Sequence, residues 1–273
     1  MSKIITPRPI KFTFKDHYPK YWYDNDPAKT YYANVLAAYI PHCEKFIISS
    51  VKACKSDIKS AELQKDIRAF IQQESYHTRE HFKFLHKIVL PHYPRLKLSH
   101  NKFFILLIFM IVGGKKTRLV MTAAGEHFTA VLSHLFLTQP ELFNGIDSEL
   151  VEFWRWHFIE ELEHKSVTFD MLKETGCGYF LRVYGFLLAT LFYFSAVFRA
   201  YLQMAKQDKC LLSLKFYCQS FRYFWGKAGI MRQCIMPYLS FLKPSFHPSQ
   251  IEDAALVDEW VKKSNIIDTS KQL

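Results

Sequence analysis

"IQQESYHTREHFKF", residues 71–84, and "WRWHFIEELEHKSVTFD", residues 154–170, are the stretches on which the fold turns. Glu74, His77 and His81 stand at i, i+3 and i+7, and Glu161 and His164 repeat the first of these spacings. Three or four residues make one helical turn, so each stretch lines one face of a helix with a carboxylate and an imidazole. A buried face of that kind needs a partner for its charge, and the flanking sequence is apolar enough to bury it.

Outward from these stretches, helical periodicity holds for most of the chain. Residues 1–28, rich in proline and aromatics, are expected as an extended lead-in. Helices are expected over about 29–53, started by "NDPAKT", and about 57–89, stopped by Pro91 and Pro94. Two more fit about 117–138, ended by Pro140, and about 147–174, ended at "TGCG". Segment 100–112, "HNKFFILLIFMIV", is apolar on all sides, and 179–206 is a further strongly apolar helix. A last amphipathic stretch lies near 249–265. No repeat or linker appears, so the chain reads as one helical bundle over 29–207, apolar helices included, with a helical appendage over 208–273.

Two of the remaining helices each carry a lone glutamate on an apolar background: Glu44 in "AYIPHCEKFII" and Glu126 in "MTAAGEHFTAVL". In chain order the four long helices then read Glu44; Glu74-x-x-His77; Glu126; Glu161-x-x-His164. That is the ligand set of the ferritin-like dinuclear carboxylate bundles. Glu44 precedes Glu74 by 30 positions and Glu126 precedes Glu161 by 35, spacings that suit antiparallel hairpins with ligands at mid-height. The 49 positions from His77 to Glu126 leave room for a long crossover. Four carboxylates match the charge of two divalent cations, and mixed oxygen and nitrogen donors suit iron, or manganese, better than a closed zinc site. The expected fold is therefore all-α: a ferritin-like four-helix bundle with additional apolar helices.

Other polar residues lie close to this stripe. His81 and His157 are each one turn from a ligand and read as residues that orient ligands or as further imidazole donors; Glu160 is an alternative to Glu161. Asp170 is placed to orient a ligand histidine. Tyr76, between Glu74 and His77, is a candidate proton donor or radical site, and Glu74 and Glu161 are the candidate catalytic carboxylates. His127 points about 100° away from Glu126 and reads as packing, as do Trp154 and Trp156.

"AYIPHCEKFI", "FIQQESYHTREH", "TAAGEHFTAVL", "WRWHFIEELEHKSVTFD" and "YLSFLKPSFHP" together resemble a bacterial family catalogued as predicted metal-dependent hydrolases, over roughly residues 20–250. The resemblance carries over its Glu and His positions as Glu44, Glu74, His77, Glu126, Glu161 and His164. His42-Cys43 departs from the family's small residue and glycine before the first glutamate. The resemblance implies hydrolysis, while the ligand order alone points to O₂-dependent oxidation of a hydrophobic small molecule, served by an electron donor. Iron storage is the non-enzymatic reading.

The bulk numbers narrow the setting. A net charge of +11 invites nucleic acid, but no long Lys/Arg run or RNA-binding signature accompanies it, so no nucleic-acid partner is expected. An anionic membrane surface accounts for the same charge. Six cysteines form no CxxC pair, and "MSKIITPRPIKF" has no apolar leader core, which leads to an expectation of reduced thiols in the cytoplasm. The uncharged run 183–198, sixteen residues between Arg182 and Arg199, is short of the ~20 that span a bilayer. It reads either as a buried core helix or as a greasy patch resting on the inner face of the membrane.

Overall fold

The computed structural model describes residues 5–96 and 114–263, and all regular elements among them are helical. Segment 100–112 lies outside the described residues. Helix α1, Pro27–Cys54, begins where the Asp26 carboxylate accepts the Ala28 and Lys29 amides, with Pro27 in the first turn where its missing N–H costs nothing. Helix α2, Ala61–Phe84, is capped by Ser60 and runs into a π-helical turn, Leu85–Val89, before the prolines end it. Helix α3 spans Lys115–Thr138, and α4, Ser148–His164, is capped by Asp147.

The expected single helix to residue 174 is broken. Lys165 is buried, and its ammonium is drawn to the Ile251 carbonyl at 2.6 Å and to the Asp253 carboxylate. The chain turns at this point and resumes as α5, Val167–Glu174. Four helices follow: α6, Tyr179–Gln207; α7, Leu214–Trp225; α8, Ile230–Leu239; and α9, Ala254–Lys263.

Helix α1 packs along α2 and α3 along α4, while α1–α3 and α2–α4 contacts close the four-helix arrangement. Phe70, Phe84, Phe153 and Trp156 are fully buried between them. Helix α6 lies across α3 and α1. Gly185 makes that approach: a Cβ there would stand 2.5 Å from the Val120 side chain. Helices α7, α8 and α9 pack on α1, α3 and α4. Among its described residues before Pro27 the lead-in forms no helix and straps the bundle; the Phe12 amide donates to Glu80 at 3.1 Å, and Phe14 meets Phe84 and Phe153 edge-on.

The buried-core reading of 183–198 does not hold for the outer side of α6. That run sits inside a 29-residue helix which, by length and composition, is long and apolar enough to cross a membrane, and 17% of its most apolar window is buried. All six cysteines are free thiols.

Candidate metal centre

Helices α1 and α3 each deliver one glutamate to the same buried point, and α2 and α4 each deliver a glutamate and a histidine. Glu44, Glu74, His77, Glu126, Glu161 and His164 are all at most 3% exposed. His77 Nδ1 stands 3.9, 3.6 and 3.5 Å from carboxylate oxygens of Glu44, Glu74 and Glu161. His164 Nε2 stands 3.3, 3.2 and 3.5 Å from oxygens of Glu74, Glu126 and Glu161. The cluster thus has two halves, Glu44 with His77 and Glu126 with His164. Glu74 and Glu161 reach both.

The inward atoms lack ordinary partners. Both Glu44 oxygens, Glu74 Oε1, His77 Nδ1, Glu126 Oε2 and His164 Nε2 are buried with no hydrogen bond among the described residues. Buried polar atoms are nearly always satisfied, so a convergent set of orphans marks a place built for something else. Groups of three donor residues with ligand atoms mutually within 4.8 Å include Glu44–Glu74–His77 and Glu74–Glu161–His164. Carboxylate and imidazole donors at such separations fit a divalent cation. Zinc sites that close without water favour thiolates, and no cysteine belongs to these groups.

The outward atoms are as well satisfied as the inward ones are bare. His77 Nε2 donates to Glu160 Oε2 at 2.9 Å, and His164 Nδ1 donates to Gln73 Oε1 at 3.1 Å. Gln73 in turn donates to Glu163 at 2.9 Å. Arg8 from the lead-in donates to both Glu160, at 3.3 Å, and Glu163, at 2.6 and 2.9 Å. An unbroken chain of side chains from His77 to His164 therefore fixes which nitrogen each histidine turns inward, the usual task of partners behind metal-binding histidines. Thr129 donates to Glu161 Oε2 at 2.5 Å.

Electrostatics agree with this division. Burial, then the charge of Glu74, holds Glu44 well above the usual carboxylate range. Burial and the charges of Glu161 and Glu74 push Glu126 up to about 8. Burial also works against charge on His77 and His164, yet the surrounding glutamates outweigh it and hold both well above an ordinary imidazole. Glu161 goes the other way: burial would raise it, but His164 and His157 keep it well below its usual value. Crowded carboxylates that keep protons are carboxylates a divalent cation would relieve.

The other sequence candidates divide. His81 and His157 are buried beside the cluster, His81 Nε2 lying 3.3 Å from His157 Nδ1, and they form a further donor group with Glu44. Burial and the charge of His77 lower His157 to about 3, and burial with His157 lowers His81 as well. Glu160 is turned outward, where it accepts from His77 and Arg8, and belongs to none of the donor groups among the described residues. Tyr76 and Asp170 are not brought to the cluster. Two positions after Glu74 is over half a helical turn away, and the Tyr76 hydroxyl accepts from Gln72. Asp170, beyond the break at Lys165, pairs with His247 at 2.9 Å. His127 meets the Pro237 and Tyr238 carbonyls at 3.1 Å. Sequence reasoning missed Gln73, Glu163, Thr129 and Arg8. Gln73 and Glu163 adjoin ligand positions and carry a faint signal; Arg8 carries none.

One apolar hollow adjoins the cluster, and a second adjoins the first. The inner one, about 90 Å³, has His157 and Thr129 in its wall. The outer one, about 170 Å³, lies between α1, α3 and α6 and shares Tyr39, Cys43, Ile47, Gly125 and Tyr193 with it.

A family model described as predicted metal-dependent hydrolase matches residues 6–252. No curated protein and no solved structure matches the chain. The chain belongs to the predicted metal-dependent hydrolase family.

Proposed function

We propose that this member of the family is a metal-dependent enzyme holding two divalent cations, and that it hydrolyses an apolar ester-like substrate. The observation that carries the reading is the convergence of six donor residues, five of which turn inward a buried atom with no hydrogen-bond partner among the described residues, while the outward nitrogens of both histidines are held. Glu44 and His77 would hold one ion, Glu126 and His164 the other, with Glu74 and Glu161 shared. Bound cations would supply Lewis acidity toward a carbonyl or phosphoryl oxygen and lower the pKa of water. Glu160 and Gln73 keep His77 and His164 in the tautomers that turn a lone pair inward. Thr129 steadies Glu161 from the side of the inner hollow. The apolar linings of the hollows suit an apolar chain.

O₂-dependent oxidation, with iron and an electron donor, is the second reading. The carboxylate-rich donor set inside a dry helical bundle favours it, because dinuclear sites of that composition belong to ferritin-like bundles. One experiment separates the two. Protein purified without air is assayed for metal by elemental analysis, then offered p-nitrophenyl acyl esters of increasing chain length with and without O₂. Two ions per chain and O₂-independent ester cleavage support hydrolysis; O₂ consumption with an oxidised product replaces it with the second reading. Glu74→Ala and Glu161→Ala should each lose metal while circular dichroism keeps its helical signal. Full metal content in both variants would sink the site itself.

A further inference from the structure

Helix α6 is apolar on both sides. Its inner side, with Gly185, Phe186, Ala200 and Met204, packs on the bundle. Its outer side carries Phe180, Tyr184, Leu187, Leu191, Phe194 and Phe198, from 40% to 87% exposed. The spacing alternates four and three, so these six form one straight stripe along the helix axis. The two helices beside α6 continue the theme. Helix α7, which meets α6 through Phe216 and Phe224 on Tyr201, exposes Leu214, Tyr217, Phe221 and Trp225. Helix α8, which meets it through Tyr238 on Phe186, exposes Ile235, Met236 and Leu239. Among the described residues nothing covers this surface. A monomer in water rarely exposes so extended an apolar patch.

The charge around the stripe is one-sided. Between residues 179 and 250 there are nine Lys and Arg and a single acid, Asp208, a surplus of eight in a chain whose net charge is +11. Asp208 is spoken for by Lys20 and by the hydroxyls of Tyr21, Tyr31 and Tyr93. Lys206, Lys209, Lys215, Arg222, Lys227 and Arg232 are exposed and in no ion pair among the described residues. The basic residues are scattered in sequence, yet the imbalance belongs to the helices that carry the greasy face.

We propose that the α6–α8 face docks on an anionic phospholipid surface, with the outer stripe of α6 seated among the acyl chains and the surrounding cations on the phosphates. Charge decides this occupant. A second copy of the chain would press two strongly positive faces together with no acid to relieve them. A lipid surface offers apolar depth and negative charge at once. Helix α6 lies along that surface and does not cross it: Gly185 seats it against Val120 of α3, and Arg182 on its inner side donates to the Lys243 carbonyl at 2.6 Å. The outer hollow is walled by the inner side of the same helix, through Ala189, Tyr193 and Val197. The docking stands on this surface alone and holds whichever reaction the metal site performs.

The full-length protein is floated with vesicles of pure phosphatidylcholine and with vesicles holding one third phosphatidylglycerol. Strong co-flotation with the anionic vesicles, weakened by salt and by removal of phosphatidylglycerol, is expected. The double variant Leu187→Glu/Leu191→Glu should lower partitioning at least ten-fold without changing metal content or helical signal. Lys215→Glu/Arg222→Glu should lower binding to anionic vesicles by about 25-fold or more, taking about five-fold per lost cation, and leave binding to neutral vesicles unchanged. No partitioning of the wild-type protein would overturn the proposal. So would a dimer in sedimentation velocity that the Leu187/Leu191 variant splits, since a second copy would then be the cover.

Discussion

Glu126 shows how the cage balances charge at the level of one side chain. Burial and two neighbouring carboxylates raise its carboxyl from an ordinary 4.5 to about 8. A raised folded-state value means that, without metal, the folded chain keeps a proton the unfolded chain gives up. The resulting stability is complete below about 4.5 and is lost as pH rises through about 8. His77 and His164, also raised, add in the same direction. Cation uptake runs the opposite way, because the cation must displace these protons. Affinity should therefore climb between pH 6.5 and 8, by about ten-fold per unit for each proton released. Calorimetric titration of Mn²⁺ in buffers of different ionisation enthalpy counts those protons, and Glu126→Gln should remove one of them. Affinity that ignored pH would take Glu126 out of the ligand set. Glu126 was legible in sequence because a lone carboxylate among "MTAAG" and "HFTAVL" has no local partner. Gln73 was only faintly so: it adjoins Glu74, but nothing else in "IQQES" distinguishes a glutamine that grips His164 from one in solvent.

At the scale of elements, the hydrophobic period marks where helices lie but not where their axes bend. "ELEHKSVTFD" contains no proline or glycine to mark a stop, and at the break Lys165 is held by Asp253, 88 positions away. The exposed side of α6 was equally illegible. Apolar residues on every side of a helix look the same in sequence whether protein or something else faces them. The seat of α6 is testable at Gly185. With 2.5 Å between a new Cβ and Val120, Gly185→Ala must shift one helix. It should cost about 1–3 kcal/mol in chemical denaturation, the usual range for overpacking. Gly185→Ala with Val120→Ala should recover much of the loss. An unchanged midpoint for Gly185→Ala would mean that α6 rides loosely on the bundle.

For the molecule as a whole, the decisive connection ties the lead-in to the fourth helix. Arg8 lies 11% exposed between Glu160 and Glu163, which are buried. Arg8→Met keeps the stem and removes the charge, leaving two carboxylates without their cation. Loss of one partner from a buried pair costs about 3–5 kcal/mol. Because both inward-facing histidines are backed by this chain of side chains, metal affinity should also fall by roughly ten- to a hundred-fold if they are ligands. Thermal melts and Mn²⁺ titrations of Arg8→Met read the two effects, and a variant weakened in stability alone would confine Arg8 to holding the fold. The same residue has a consequence for how the protein is made. Arg8 leaves the ribosome near the start of synthesis, but Glu163 follows 155 positions later. At about 5–20 residues per second, that is a wait of roughly 8–30 seconds. The first part of the chain to be born is thus among the last to find its place, and until it does, Glu160 and Glu163, which stand behind the two inward-facing histidines, lack their shared cation.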